Sequence, residues 1–146
     1  MNDASPVTEM TTAECWEMLR EHEFGRLAFR IVDEQHILPI NYAVDELEGR
    51  QSLLFRTAEG TKLLAVVLGG EVALEIDDFG DESAVSVVVR GRPRHLEERE
   101  EHRAENLPLR PWVDTLKYDV VEILPEVVTG RRFDLTRPWL HARVDV

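Results

Sequence analysis

The chain has 146 residues, 43% of them hydrophobic, and a formal net charge of −12 at pH 7. That is the size of one domain with one core, and the acidic balance argues against a nucleic-acid binder and against docking on anionic membrane surfaces. No apolar run reaches the roughly 18 residues of a membrane-spanning helix, MNDASPVTEM has no signal-peptide pattern, and the lone Cys15 cannot form an internal disulfide, so a reduced cytoplasmic protein is expected.

Residues 1–10 read as a flexible tail. Thr11 opens a capping box with Glu14, and a short helix follows through AECWEMLREHE, with Trp16 and Leu19 toward the core and Gly25 as its end. From Gly25 the apolar period becomes two. GRLAFRIV, HILPINYAVD after the polar turn DEQ, and SLLFRTA after ELEGRQ form an antiparallel meander. TKLLAVVLGG reads as a helix ending at Gly69–Gly70. The sheet resumes with EVALEIDDF and, after GDES, with AVSVVVRGRPRHL, where Gly91 to Pro93 predict a bend or bulge. EEREEHRAEN reads as a charged, solvated helix, LPLRPW as an irregular crossing, and YDVVEILPEVVTGRRF as the last strand. Six or so short strands with few helices predict a mainly β fold, a small antiparallel barrel.

The stretch FRTAEGTK sets Arg56, Thr57, Thr61 and Lys62 at a strand-to-helix junction. A cation at a helix start opposes the helix dipole, unless an anion sits there. The order Gly60-Thr61-Lys62 is not a P-loop, and no Gly-x-Gly-x-x-Gly occurs. Two readings stand: an anion site made by a helix N-terminus, two hydroxyls, an arginine fork and a lysine, or an exposed loop with ordinary surface charge. His22, His36, His95, His102 and His141 lack metal-ligand spacing, so no metal site is expected. Cys15 has no base beside it and reads as a small core residue. In PINYAVD, Pro39 predicts a strand edge or irregularity. Asn41 and Tyr42 are either outward residues of that edge or part of a surface lining a planar ligand.

CWEMLREHEFGRLAF, ILPINYAVD, LLFRTAEGTKL, VVVRGRPRHL, LPLRPW and VTGRRF follow one another in a familiar order. The sequence resembles small actinobacterial members of the pyridoxamine 5′-phosphate oxidase-like, FMN-binding split-barrel family over residues 11–133, leaving 134–146 as a C-terminal tail. The resemblance implies a six-stranded antiparallel split barrel, a homodimer, and FMN in a groove at the subunit interface. It implies that Arg56, Thr57, Thr61 and Lys62 bind the FMN phosphate. Asn41 and Tyr42 are implied to line the isoalloxazine ring, and Trp112 to approach the flavin from the second subunit. The ending FDLTRPWLHARVDV does not resemble the segment that holds substrate phosphate in true pyridoxamine phosphate oxidases, so that activity is not expected. The expectation is a flavin-dependent oxidoreductase acting on a small molecule. The alternative is a non-catalytic flavin, deazaflavin or haem-binding carrier of the same fold.

Overall fold

The computed structural model describes residues 5–58, 62–105, 107 and 118–136, with the backbone alone at 62, 63 and 66. Helix α1, Thr12–Glu21, begins as its sequence predicts. The Thr11 hydroxyl accepts from the Glu14 N–H at 3.1 Å, and the Glu14 carboxylate accepts from the Thr11 N–H at 2.9 Å. These bonds satisfy N–H groups that a helix start otherwise leaves unpaired. Cys15, Trp16 and Leu19 face inward and are buried.

Seven strands follow one another around the chain among the described residues. They are β1 (Val7–Glu9), β2 (Phe24–Ile31), β3 (Glu34–Leu47), β4 (Arg50–Ala58), β5 (Val72–Phe79), β6 (Ser83–His95) and β7 (Tyr118–Asp134), with the short helix α2 (Lys62–Val67) between β4 and β5. Every pairing is antiparallel. The order is β1-β7-β4-β3-β2-β5-β6, and β6 pairs with β7 again. Strands β2 to β7 therefore close a six-stranded ring, and β1 adds to the far end of β7. Closure is uneven: β2 meets β5 only over Arg26–Ala28, whereas β6 follows β7 from Ser83 to His95. This is a split barrel. Residues 7–9, placed by sequence in a loose tail, carry three exposed side chains and no inward pattern, which is why that strand is invisible without its partner.

Alternation decides what is inside. Leu27, Ile40, Leu53, Phe55, Leu74 and Val121 point inward and are buried together. On the opposite side of the sheet, Ala43, Leu54 and Val120 form a second, smaller core with Leu96 and Ala104. The β3–β4 hairpin closes on Glu48 and Gly49, both at positive φ (52° and 81°), the backbone that a two-residue primed turn demands. The β2–β3 turn falls on Val32 and Asp33, earlier than the DEQ expected, with Val32 at φ 55°.

The bulge expected near Gly91 is present as a register shift between Arg90 and Gly91. A Cβ on Gly91 would come within 2.1 Å of the Leu124 carbonyl oxygen, so β7 can bend across β6 only at a residue without a side chain. Pro39 is opposite Arg26 of β2, in the half of β3 that precedes its pairing with β4. A residue without an N–H is tolerated where one side of the strand makes no ladder.

The charged run 97–106 differs from expectation. It forms a 3-10 helix, Glu98–Ala104, that is not solvated throughout: Ala104 is buried and the Arg103 side chain is 8% exposed. The helix lies over the outer face of β4 and β7, where Ala104 joins the second core.

Candidate functional site

Arg56 and Thr57 end β4 on opposite faces, because side chains alternate along a strand. On the outer face, the Arg56 guanidinium donates from Nη2 to the Ala104 carbonyl at 3.1 Å and lies 5.8 Å above the Tyr118 ring. A stacked, hydrogen-bonded guanidinium has a fixed plane. One step beyond the Tyr42–Phe55 pair of the β3–β4 register, Asn41 and Arg56 share that outer face. The β3–β4 ladder ends at the Tyr42–Phe55 pair, and Asn41 and Arg56 leave it on one face at the same end of the barrel.

On the inner face, Thr57 stands opposite Asp119. It is 6% exposed, and its hydroxyl oxygen has no hydrogen-bond partner among the described residues. A buried hydroxyl left unpaired costs about 1–3 kcal/mol, so this group stands out at the end of β4. The neighbouring Asp119 carboxylate accepts from the His95 ring Nε2 at 3.1 Å.

Asn41 is buried rather than solvent-exposed on that face, and its Nδ2 donates to the Glu23 carbonyl at 2.8 Å. The Tyr42 N–H donates to the same oxygen at 2.9 Å. Tyr42 itself is fully buried, and its hydroxyl donates to the Leu19 carbonyl at 2.7 Å. Burial pushes the phenol pKa up. The Tyr42 side chain is committed to the barrel interior. The expected helix start is shorter than predicted: α2 has six residues, less than two turns, so its dipole gives little field either to oppose Lys62 or to hold an anion. Thr61 and Trp112 lie outside the described residues, as does the Lys62 side chain.

Sequence reasoning missed an ion cluster under the 3-10 helix. Glu122 of β7, with its side chain 4% exposed, accepts from the Ser52 hydroxyl at 2.6 Å, from Arg94 Nη2 at 2.9 Å and from Arg103. Arg103 also donates to Asp45 at 2.8 Å, and Arg94 makes a forked pair with Glu100 at 2.9 and 2.8 Å. Burial alone would push the Glu122 carboxyl up, but Arg103, Ser52 and Arg94 outweigh it and hold it below the ordinary value. The cluster floors a cavity of about 830 Å³ bounded on its apolar side by Trp16, Leu47 and Leu124. Arg103 and Asp45 are 58 residues apart, so no local pattern could have paired them.

An uneven six-stranded antiparallel ring with a helix packed at its end defines a split-barrel protein. The family model of pyridoxamine 5′-phosphate oxidase matches residues 11–132, and the chain belongs to that family. A Mycobacterium smegmatis structure described as an FAD binding protein is 38% identical, with a TM-score of 0.75 over 87% of this chain and 98% of that one. A Corynebacterium diphtheriae structure, a conserved protein of unknown function, is 34% identical, with a TM-score of 0.77 over 88% and 99%. An uncharacterized Mycobacterium tuberculosis protein is 32% identical, covering 88% of this chain and 87% of its own length. No helix among the described residues is long and apolar enough to cross a membrane.

Proposed function

We propose that the chain binds FMN and serves as a flavin-dependent oxidoreductase. The observation that carries the reading is the buried Thr57 hydroxyl near the end of β4, one residue from Arg56 and without a partner among the described residues. In this reading a phosphate lies off the end of β4 and receives Arg56 from the outer face and Thr57 from the inner face. Thr61 and Lys62 follow in the chain and add a hydroxyl and a charge to the same anion. Arginine suits a forked contact to phosphate, and lysine supplies a point charge. Asn41, on the face of Arg56, lines the flavin ring through its amide, and Tyr42 adds only backbone.

Bound flavin supplies hydride or electron transfer. The chain's residues bind and orient it, so a reacting acid or base need not appear among them. FAD carries the same ribityl phosphate, and the FAD-binding Mycobacterium smegmatis relative favours it as a second reading. A second copy of the chain completes the groove in this reading. Leu47 and Leu124, 49% and 43% exposed beside the cavity, are apolar surface for such a copy to cover, and Trp112 would reach the flavin from it.

Titration of the purified protein with FMN, FAD and riboflavin, followed by anaerobic addition of NAD(P)H, tests this. Saturable binding that depends on the phosphate, with bleaching of the flavin band by NAD(P)H, is the expected result. Binding without reduction would leave a carrier, and no binding of any flavin would remove the reading.

A further inference from the structure

Arg56 does not hold its own position. Its Nη2 donates to the carbonyl of Ala104, the last residue of the 3-10 helix, and Ala104 follows Arg103 directly. Arg103 is the residue most deeply tied into the ion cluster. It donates to Asp45 of β3 at 2.8 Å and to Glu122 of β7 through two nitrogens, one of them at 3.4 Å. Glu100, one turn earlier, is gripped by Arg94 of β6. The helix is thus pinned at two residues to three strands, and its last carbonyl orients the Arg56 guanidinium together with the Tyr118 ring.

We infer that Glu122 and Arg103 are positioning residues for Arg56: the buried ion cluster fixes the 3-10 helix so that the Ala104 carbonyl aims the guanidinium at the ligand phosphate. The inference rests on the phosphate role given to Arg56 above. Packing alone would not need these charges. Small apolar contacts at Ala104 and Leu96 already seal the helix against the sheet, and a buried ion pair is seldom more stable than an apolar replacement. What an ion cluster adds is direction, since each carboxylate oxygen and guanidinium nitrogen meets its partner in one geometry. Outer partners that orient metal-ligating side chains typically change metal affinity by about tenfold or more when removed, and the same scale is expected for a partner that orients a phosphate-binding arginine.

The test compares FMN with riboflavin, which lacks the phosphate, by flavin fluorescence on the full chain. Glu122→Gln keeps the shape and removes the charge. FMN affinity is expected to fall about tenfold, while riboflavin affinity stays at the wild-type level. In an Arg56→Ala background the same change is expected to do nothing further to FMN affinity, because the group it positions is gone. If Glu122→Gln does not fold by circular dichroism, Asp45→Asn, which removes one arm of the same arginine, reads the same difference. Equal losses for FMN and riboflavin, or losses that add to those of Arg56→Ala, show a merely structural role and overturn the inference. Wild-type binding intact with unaltered FMN binding in the variants overturns it alone. Wild-type protein that binds no flavin overturns the functional reading as well.

Discussion

The Tyr42 hydroxyl donates to the carbonyl oxygen of Leu19 at 2.7 Å, tying the middle of β3 to the last turns of α1 inside the barrel. A residue that looks suited to line a ligand is therefore a strut between two elements. Tyr42→Phe removes the bond and keeps the ring. It is expected to lower stability in urea unfolding by about 1 kcal/mol, with FMN affinity unchanged. A drop in FMN affinity without a change in stability would return Tyr42 to the site.

Thr57 has the opposite signature. Its hydroxyl is buried and has no partner among the described residues, so no bond there adds to stability. Thr57→Val is nearly isosteric and removes an unsatisfied polar atom. Stability is expected to stay level or rise by about 1 kcal/mol, while FMN affinity falls and riboflavin affinity does not. Loss of stability in urea would mean that the hydroxyl has a structural partner.

Glu100 sets a pH dependence. The Arg94 guanidinium, and after it the Glu97 backbone N–H, hold the Glu100 carboxyl at about 2, below its ordinary 4.5. A carboxyl depressed on folding contributes stability that is fully present above the unfolded value and is lost as pH falls through the folded one. The window is therefore pH 4.5 down to about 2. Glu122, also held below its ordinary value, contributes in the same direction. Glu100→Gln is expected to unfold less steeply with acid across that window. Identical acid curves for variant and wild type would show that the Arg94–Glu100 pair carries no stability.

Val32 occupies a left-handed conformation, φ 55°, with its side chain 84% exposed. A β-branched residue is strained there and buries nothing in return. Val32→Gly is expected to raise the midpoint of thermal unfolding, by about 1 kcal/mol of stability after the entropy cost of glycine. A fall in stability would mean that Val32 packs against something after all.

How much of this could be read from the sequence depended on whether the partners were local. The capping box of Thr11 and Glu14 spans three residues, and the alternation of Leu27 and Phe29 lies within one strand, so both were legible. So was the bulge, because glycine and proline mark where a ladder breaks. The run 97–106 was misread for the converse reason. Its charges looked solvated because Asp45, Ser52, Arg94 and Glu122 come to it from four other segments. Tyr42 and Asn41 were polar-capable in either reading, and only their bonds to Leu19 and Glu23 separate strut from surface. Residue type and spacing single out Arg56 and Thr57, but their opposite faces, and a Thr57 hydroxyl without a partner among the described residues, are properties of the fold.

In the proposed function the end of β4 holds a flavin phosphate. The most direct test is a fluorescence titration of FMN against riboflavin, with wild-type protein and the Arg56→Ala, Lys62→Ala double variant. The expected result is a wild-type preference for FMN of at least about tenfold, from charge-assisted bonds to the phosphate, that disappears in a double variant still folded by circular dichroism. Equal affinity for FMN and riboflavin in the wild type, or a preference that survives in the double variant, would contradict the phosphate site.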